Sequence, residues 1–172
     1  MNDRFKRDKK RDEFNEKTLD IRRVTRVVKG GKRMSFRTTM VIGDGRGRVG
    51  VGLGKGLDVA QSIAKAKVDA RKHVIAIPLV KRSIPHQVEA KFSAAEVMIK
   101  PASDGYGLHA GSAVRVVLLL AGIKDATAKC LGRTPNKLTN AMPAIEALRQ
   151  LRTVKTMQVN KETPREDVKT QS

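Results

Sequence analysis

Residues 27–56 read VVKGGKRMSFRTTMVIGDGRGRVGVGLGKG. The middle of this stretch alternates with the period of a strand, placing Met34, Phe36, Thr38, Met40 and Ile42 on one face and Arg33, Ser35, Arg37 and Thr39 on the other. Gly43-Asp44-Gly45-Arg46-Gly47 then forms a glycine-rich turn. A second strand follows, with Val49, Val51 and Leu53 on one face and Gly50, Gly52 and Gly54 on the other. Glycine weakens a strand, so three at period two need a reason, and close approach of another backbone is the usual one. The strand pair is therefore expected to show one apolar face and one bare face edged with arginine. Such a bare face would dock against something large and anionic.

Upstream, Leu19 to Lys29 has the composition of a further strand. Its apolar phase slips between Ile21 and Val24, which predicts a bulge at Arg22-Arg23. Lys29-Gly30-Gly31-Lys32 is a tight turn. Downstream, from Leu57 to Val74, the period becomes helical, with Val59, Ile63, Ala66 and Ala70 on one face. The first folded unit is thus strand, strand, strand, helix over 19–77, behind a basic mobile tail at 1–18. Pro78 and Ser83-Ile84-Pro85 mark a linker over 78–86.

A second unit over 87–152 mixes strands and helices, so the whole chain reads as α+β. Gln87 to Phe92 and Ala95 to Lys100 read as a strand pair, and Pro101 to Gly107 as a loop. Ala110 to Ala121 is a buried helix stopped by Gly122, and Asp125 to Leu131 another strand. Asn136 to Leu151 is an amphipathic helix with Leu138, Met142, Ile145 and Leu148 at core spacing. Residues 153–172 form a polar tail.

The 172 residues carry a net charge of +19, which ranks nucleic acid first among partners and anionic membrane second. The charge is concentrated: Arg22 to Lys55 holds ten Lys and Arg against one acid, Asp44. Only 3% of residues are aromatic, which argues against a surface that stacks unpaired bases and favours binding through phosphate, ribose and helix shape. The single Cys130 excludes a disulfide framework and fits a reducing cytosol. A charged N-terminus does not read as a signal peptide, and the longest apolar run, Val116 to Ile123, is too short for a bilayer.

Candidate RNA-binding residues are Arg22, Arg23, Arg26, Lys29, Gly30, Gly31, Lys32, Arg33, Arg37, Arg46, Arg48, Gly50, Gly52, Gly54 and Lys55. Gly45 to Gly50 spells G-x-G-x-x-G but runs into a strand, whereas the dinucleotide fingerprint opens a helix. Kinase signatures are missing as well. The loop from Pro101 to Ala113 joins a strand to a helix start and is similar to the phosphate loop of galactokinase-type small-molecule kinases. It supports an alternative reading, an ATP-dependent small-molecule kinase fragment. No paired acids stand beside it to hold magnesium, and a plain structural turn accounts for its glycines. His73, His86 and His109 lack metal-ligand spacing. No catalytic residues, metal site or cofactor are expected.

Together, Val27-Val28-Lys29-Gly30-Gly31-Lys32, Phe36, the Gly43-Asp44-Gly45 turn with Gly47, Val49 and Gly50, and Gly52, Gly54 and Lys55 resemble the signature of the bacterial small-subunit ribosomal protein five family. The resemblance continues through Lys100-Pro101-Ala102, Gly105, Gly107, Ala121 to Asp125, Ala128-Lys129 and Leu131-Gly132. It implies a truncated double-stranded-RNA-binding-like β-β-β-α domain, followed by a small β-α domain typical of that family's second half. It implies a non-enzymatic, cytoplasmic, ribosome-bound protein without small-molecule substrate or membrane attachment. The expected partners are 16S ribosomal RNA and ribosomal proteins four and eight, with messenger RNA nearby. The resemblance further implies an influence on decoding accuracy near the messenger entry path. The hairpin matched by Arg23 to Lys32 would lie against the spectinomycin site. Tyr106, His109, Ser112 and Arg133 to Asn136 depart from the family pattern.

Overall fold

The computed structural model describes residues 14–152. The first unit comprises β1 (Asn15–Val28), β2 (Gly31–Gly43), β3 (Arg48–Gly56), α1 (Val59–Lys72) and β4 (Ile75–Ala76). The second comprises β5 (Val88–Phe92), β6 (Ala95–Pro101), β7 (Leu108–His109), α2 (Ser112–Ala121), β8 (Ala126–Cys130) and α3 (Lys137–Arg149). The first sheet runs β1-β2-β3-β4 and the second β5-β6-β8-β7. The fold is a two-domain α+β structure whose first half is the expected β-β-β-α.

β1 begins at Asn15, so residues 15–18 are strand rather than tail, and Glu16 pairs with Lys67 on α1. The remaining parts of the two expected tails lie outside the described residues. The register shift in β1 falls between Thr18 and Asp20, not at Arg22-Arg23. Both arginines sit in regular antiparallel register, opposite Arg37 and Phe36.

The main correction concerns the glycine face. Met40 pairs with Gly52, Ile42 with Gly50 and Thr38 with Gly54. Directly opposed residues share a face, so the glycines lie beside the apolar residues of β2 rather than behind them. α1 packs on this combined face, where Met40 and Ile42 form a core with Ala66 and Ala70. A Cβ at Gly52 would stand 2.2 Å from the Ala70 nitrogen, and one at Gly54 2.1 Å from the Ser62 carbonyl oxygen. At Gly50 it would meet the Ala70 carbonyl oxygen at 2.5 Å. The close-approaching backbone is the chain's own helix, and Gly50, Gly52 and Gly54 are buried under it. Small residues answer from the helix side: Ser62, Ala66 and Ala70 are its buried positions, and Ser62 Oγ hydrogen-bonds Thr38 Oγ1 at 2.8 Å.

The opposite face of the sheet carries the second unit. Val41, Val49 and Val51 join a continuous core with Val117, Leu118 and Leu120 of α2 and Ile145 and Leu148 of α3. α2 ends on Gly122, whose φ of 92° places it in the left-handed region suited to glycine. α3 starts at Asn136, whose side chain accepts from the Leu138 N–H at 3.2 Å. β4 and β7 are too short to leave a periodic signal.

Replacing Gly52 by alanine adds only the Cβ that backbone atoms of α1 already exclude. Urea denaturation should show a loss of about 3 kcal/mol, near the upper end for overpacking. Gly30→Ala, at a position with nothing within 4 Å of the added carbon, should stay within about 0.5 kcal/mol of the parent. Equal stability of the two variants would contradict the helix-on-glycine packing.

Candidate nucleic-acid interface

With α1 on one face of the first sheet and the second unit on the other, its uncovered part is the outer half of the β1–β2 hairpin. β2 meets β3 only from Phe36 inward, so residues 24–28 and 31–35 continue as a two-stranded ribbon, with Arg22 and Arg37 at its base. Cross-strand register sorts its cations. Arg22 stands opposite Arg37 and Arg26 opposite Arg33, while Lys55 of β3 faces Arg37 from the other side. Arg22, Arg26, Arg33, Arg37 and Lys55 therefore share one face. Like charges placed directly opposite destabilise a strand pair, so this ladder costs stability until an anion meets it. Arg22 pairs locally with Asp20, but Arg26, Arg33, Arg37 and Lys55 have no acidic partner among the described residues.

The remaining candidates distribute differently. Arg23 and Lys32 occupy the reverse face, opposite Phe36 and Val27. That face also exposes Ile21, Val27 and Met34. Lys29 and Gly30 form the exposed hairpin tip, and Gly31 has φ of 133°, a conformation that side chains rarely adopt. Arg46 is exposed on the loop between β2 and β3. Arg48 serves the loop itself: its Nε donates to Asp44 Oδ2 at 2.6 Å, and its guanidinium lies 5.0 Å from the centre of the Phe14 ring.

That loop also fastens the two units, a role that composition and periodicity do not reveal. Asp44 accepts from the backbone N–H groups of Arg46 and Arg48 at 2.8 and 3.0 Å, which closes the turn. The Gly45 and Gly47 N–H groups then donate to the Leu120 and Ala121 carbonyls at 2.9 and 2.8 Å. These carbonyls end α2 and have no partner within the helix. Contact is backbone to backbone, since a Cβ at Gly43 or Gly122 would fall 2.2 Å from the Leu120 or Gly45 carbonyl oxygen. The only signal of it in the sequence is the recurrence of glycine in both segments. On the far side, buried Asp125 accepts from the Gly107 N–H at 2.8 Å and pairs with Arg82, joining the linker to the second unit.

The Pro101 to Ala113 segment does not form a strand-to-helix phosphate loop. β7 interrupts it and pairs in parallel with β8, and the Gly107 N–H is taken by Asp125. Among the described residues no group of His, Cys, Asp and Glu is arranged to hold a metal, and no helix is long and apolar enough to cross a membrane.

Comparison with known proteins agrees with this architecture. Residues 14–78 match the family model for the ribosomal protein S5 N-terminal domain, and residues 90–163 the model for the S5 C-terminal domain. The chain belongs to the ribosomal protein S5 (uS5) family. It is 52% identical to small ribosomal subunit protein uS5 of Gloeobacter violaceus, over 88% of this chain and 68% of that one. It is 45% identical to the uS5 protein of Synechococcus elongatus over 94% and 90% of the two chains. The Spinacia oleracea protein uS5c is 48% identical over 86% of this chain and 48% of its own length. uS5 proteins are structural and non-enzymatic, so this member is a constituent of the small ribosomal subunit and the kinase reading falls.

The loop clasp generates a pH dependence. Burial would push the Asp44 carboxyl up, but hydrogen bonds from the Arg48 side chain and from the Arg46 and Arg48 backbone outweigh it and hold the group below its ordinary value of 3.8. A carboxyl lowered by folding adds stability above its unfolded value, and loses it as pH falls through the folded one. Asp44→Asn should therefore cost about 1–3 kcal/mol at neutral pH. The difference in melting temperature between parent and variant should shrink on acidification below 3.8. A difference that stays constant through that range would contradict the role given to the carboxylate.

Proposed function

We propose that the arginine face of the β1–β2 ribbon is the surface with which this uS5 protein holds 16S ribosomal RNA. The single observation that carries the reading is the opposed pairing of Arg26 with Arg33 on the ribbon and of Arg22 with Arg37 at its base, on a face left open among the described residues. Phosphate removes the repulsion and is bound in the same step. Arginine suits this because its planar fork can donate two hydrogen bonds to one phosphate. Lys55 extends the row along β3, and Lys29 and Lys32 bring charge to the tip. Gly50, Gly52 and Gly54 act only indirectly, by seating α1 and so leaving the ribbon as the open end of the sheet.

The wider family resemblance supports a place near the messenger entry path, an influence on decoding accuracy, and ribosomal proteins four and eight as neighbours. A cytoplasmic location fits the cyanobacterial uS5 relatives, and the uS5c relatives show the family in organelle-type variants as well. The hairpin tip fits the rim of the spectinomycin site. Gly31 fixes its conformation through a positive φ that valine would resist.

Binding of the full chain to 16S ribosomal RNA should weaken steeply with salt. The double change Arg26→Gln with Arg33→Gln should lower the log–log slope by about 0.7–0.9 for each phosphate that is no longer neutralised, while the melting temperature holds or rises. An unchanged slope would overturn the assignment. In cells, Gly31→Val ribosomes should assemble and show altered spectinomycin sensitivity; unchanged sensitivity would contradict the placement of the tip.

A further inference from the structure

Beyond Val49 the outer edge of β3 has no strand partner among the described residues, because β4 pairs only with Arg48 and Val49. The Leu53 N–H points away from β2 and donates to the Asp69 carboxylate at 2.9 Å. At period two, Val51 and Lys55 turn their backbone groups to the same open side. An exposed edge of this kind is a template for another strand. Two depressions flank it. Toward the second unit lies a cleft of about 420 Å³ with an apolar floor of Val51, Ile75, Leu138 and Met142, Phe92 and Leu53 each 40% exposed at its mouth, and Lys72, Glu146 and Arg149 among its charged lining. Toward α1 the wall is cationic: Lys55, Lys65 and Lys72 line it and have no acidic partner among the described residues, while Asp69 is its one acid.

We propose that this edge receives an extended protein segment, added to the sheet beside β3, in which apolar and acidic residues alternate. Strand addition offers backbone hydrogen bonds at Val51 and Lys55, while the Leu53 N–H stays with Asp69. The period of two then sends successive side chains to opposite walls. Apolar residues enter the cleft between β3 and α3, and acidic ones meet Lys65 and Lys72. The floor of Val51, Leu138 and Met142 calls for apolar side chains, which a peptide carries and a phosphate backbone does not. Charge selects an acidic one. This surface meets the arginine face at Lys55, but its cleft, Lys65 and Lys72 lie away from that face, and the proposal does not depend on how the ribbon is read.

The test uses the full chain assembled into small subunits, with the photo-crosslinking residue p-benzoylphenylalanine replacing Phe92 in one variant and Lys65 in another. The expected result is a protease-sensitive adduct from both positions to a single segment of another subunit protein, with apolar residues captured by the first and acidic residues by the second. In the Phe92 probe, Lys65→Glu with Lys72→Glu should lower adduct yield about tenfold without changing subunit assembly. Adducts to ribosomal RNA, to residues 153–172 of the same chain or to a second copy would overturn the proposal. So would the absence of an adduct, or a yield insensitive to the charge reversal.

Discussion

The approach of α1 to the bare strand β3 sets the rest of the architecture. Side chains cannot stand between them, because added Cβ atoms at Gly50, Gly52 and Gly54 would fall 2.1–2.5 Å from helix backbone atoms. Glycine in a strand interior sacrifices stability by propensity alone. The loss is offset by a helix seated close enough for Ala66 and Ala70 to pack against Met40 and Ile42. One face of the first sheet is thereby closed by the chain itself. Val41, Val49 and Val51 close the other against α2 and α3. What remains open among the described residues is the ribbon beyond Phe36, where Arg26 opposes Arg33, with Arg22 opposing Arg37 at its base.

The same logic of backbone contact governs the junction between the two units. The loop of Gly43 to Gly47 places N–H groups on the terminal carbonyls of α2, and its shape is held by the Asp44 carboxylate. Neither α2 nor the loop could make this contact with bulkier residues at Gly43 or Gly122. The junction is therefore held by close backbone contact, for a geometric reason.

Much of this is legible in the sequence, and the failures have physical causes. Alternation in 33–42 and the helical period after Leu57 mark the elements, and glycine at period two requires a nearby backbone. Whose backbone it is cannot be read. The face assignment turns on the register across the loop of residues 44–47, and a shift of one residue would exchange the faces entirely. That loop contains Gly45 and Gly47 at positive φ, so its length alone does not fix the parity. The bulge is misplaced for a related reason. Ile21 looks out of phase because it is exposed at the outer edge of the sheet, not because the strand is irregular there; the irregularity falls at buried Leu19. In the candidate interface the cation types are evident from the residues alone. Their sorting into an arginine face, a mixed reverse face and the loop-bound Arg48 requires the pairing partners.

The central claim is that the glycine strand is an internal contact and the ribbon the external one. Amide hydrogen exchange of the full chain, alone and bound to 16S ribosomal RNA, tests both parts at once. The account predicts that β3 from Gly50 to Gly54 and the facing turns of α1 exchange slowly in the free protein and change little on binding, whereas residues 21–35 gain protection. Protection gained along Gly50 to Gly54 with the ribbon unchanged would contradict it.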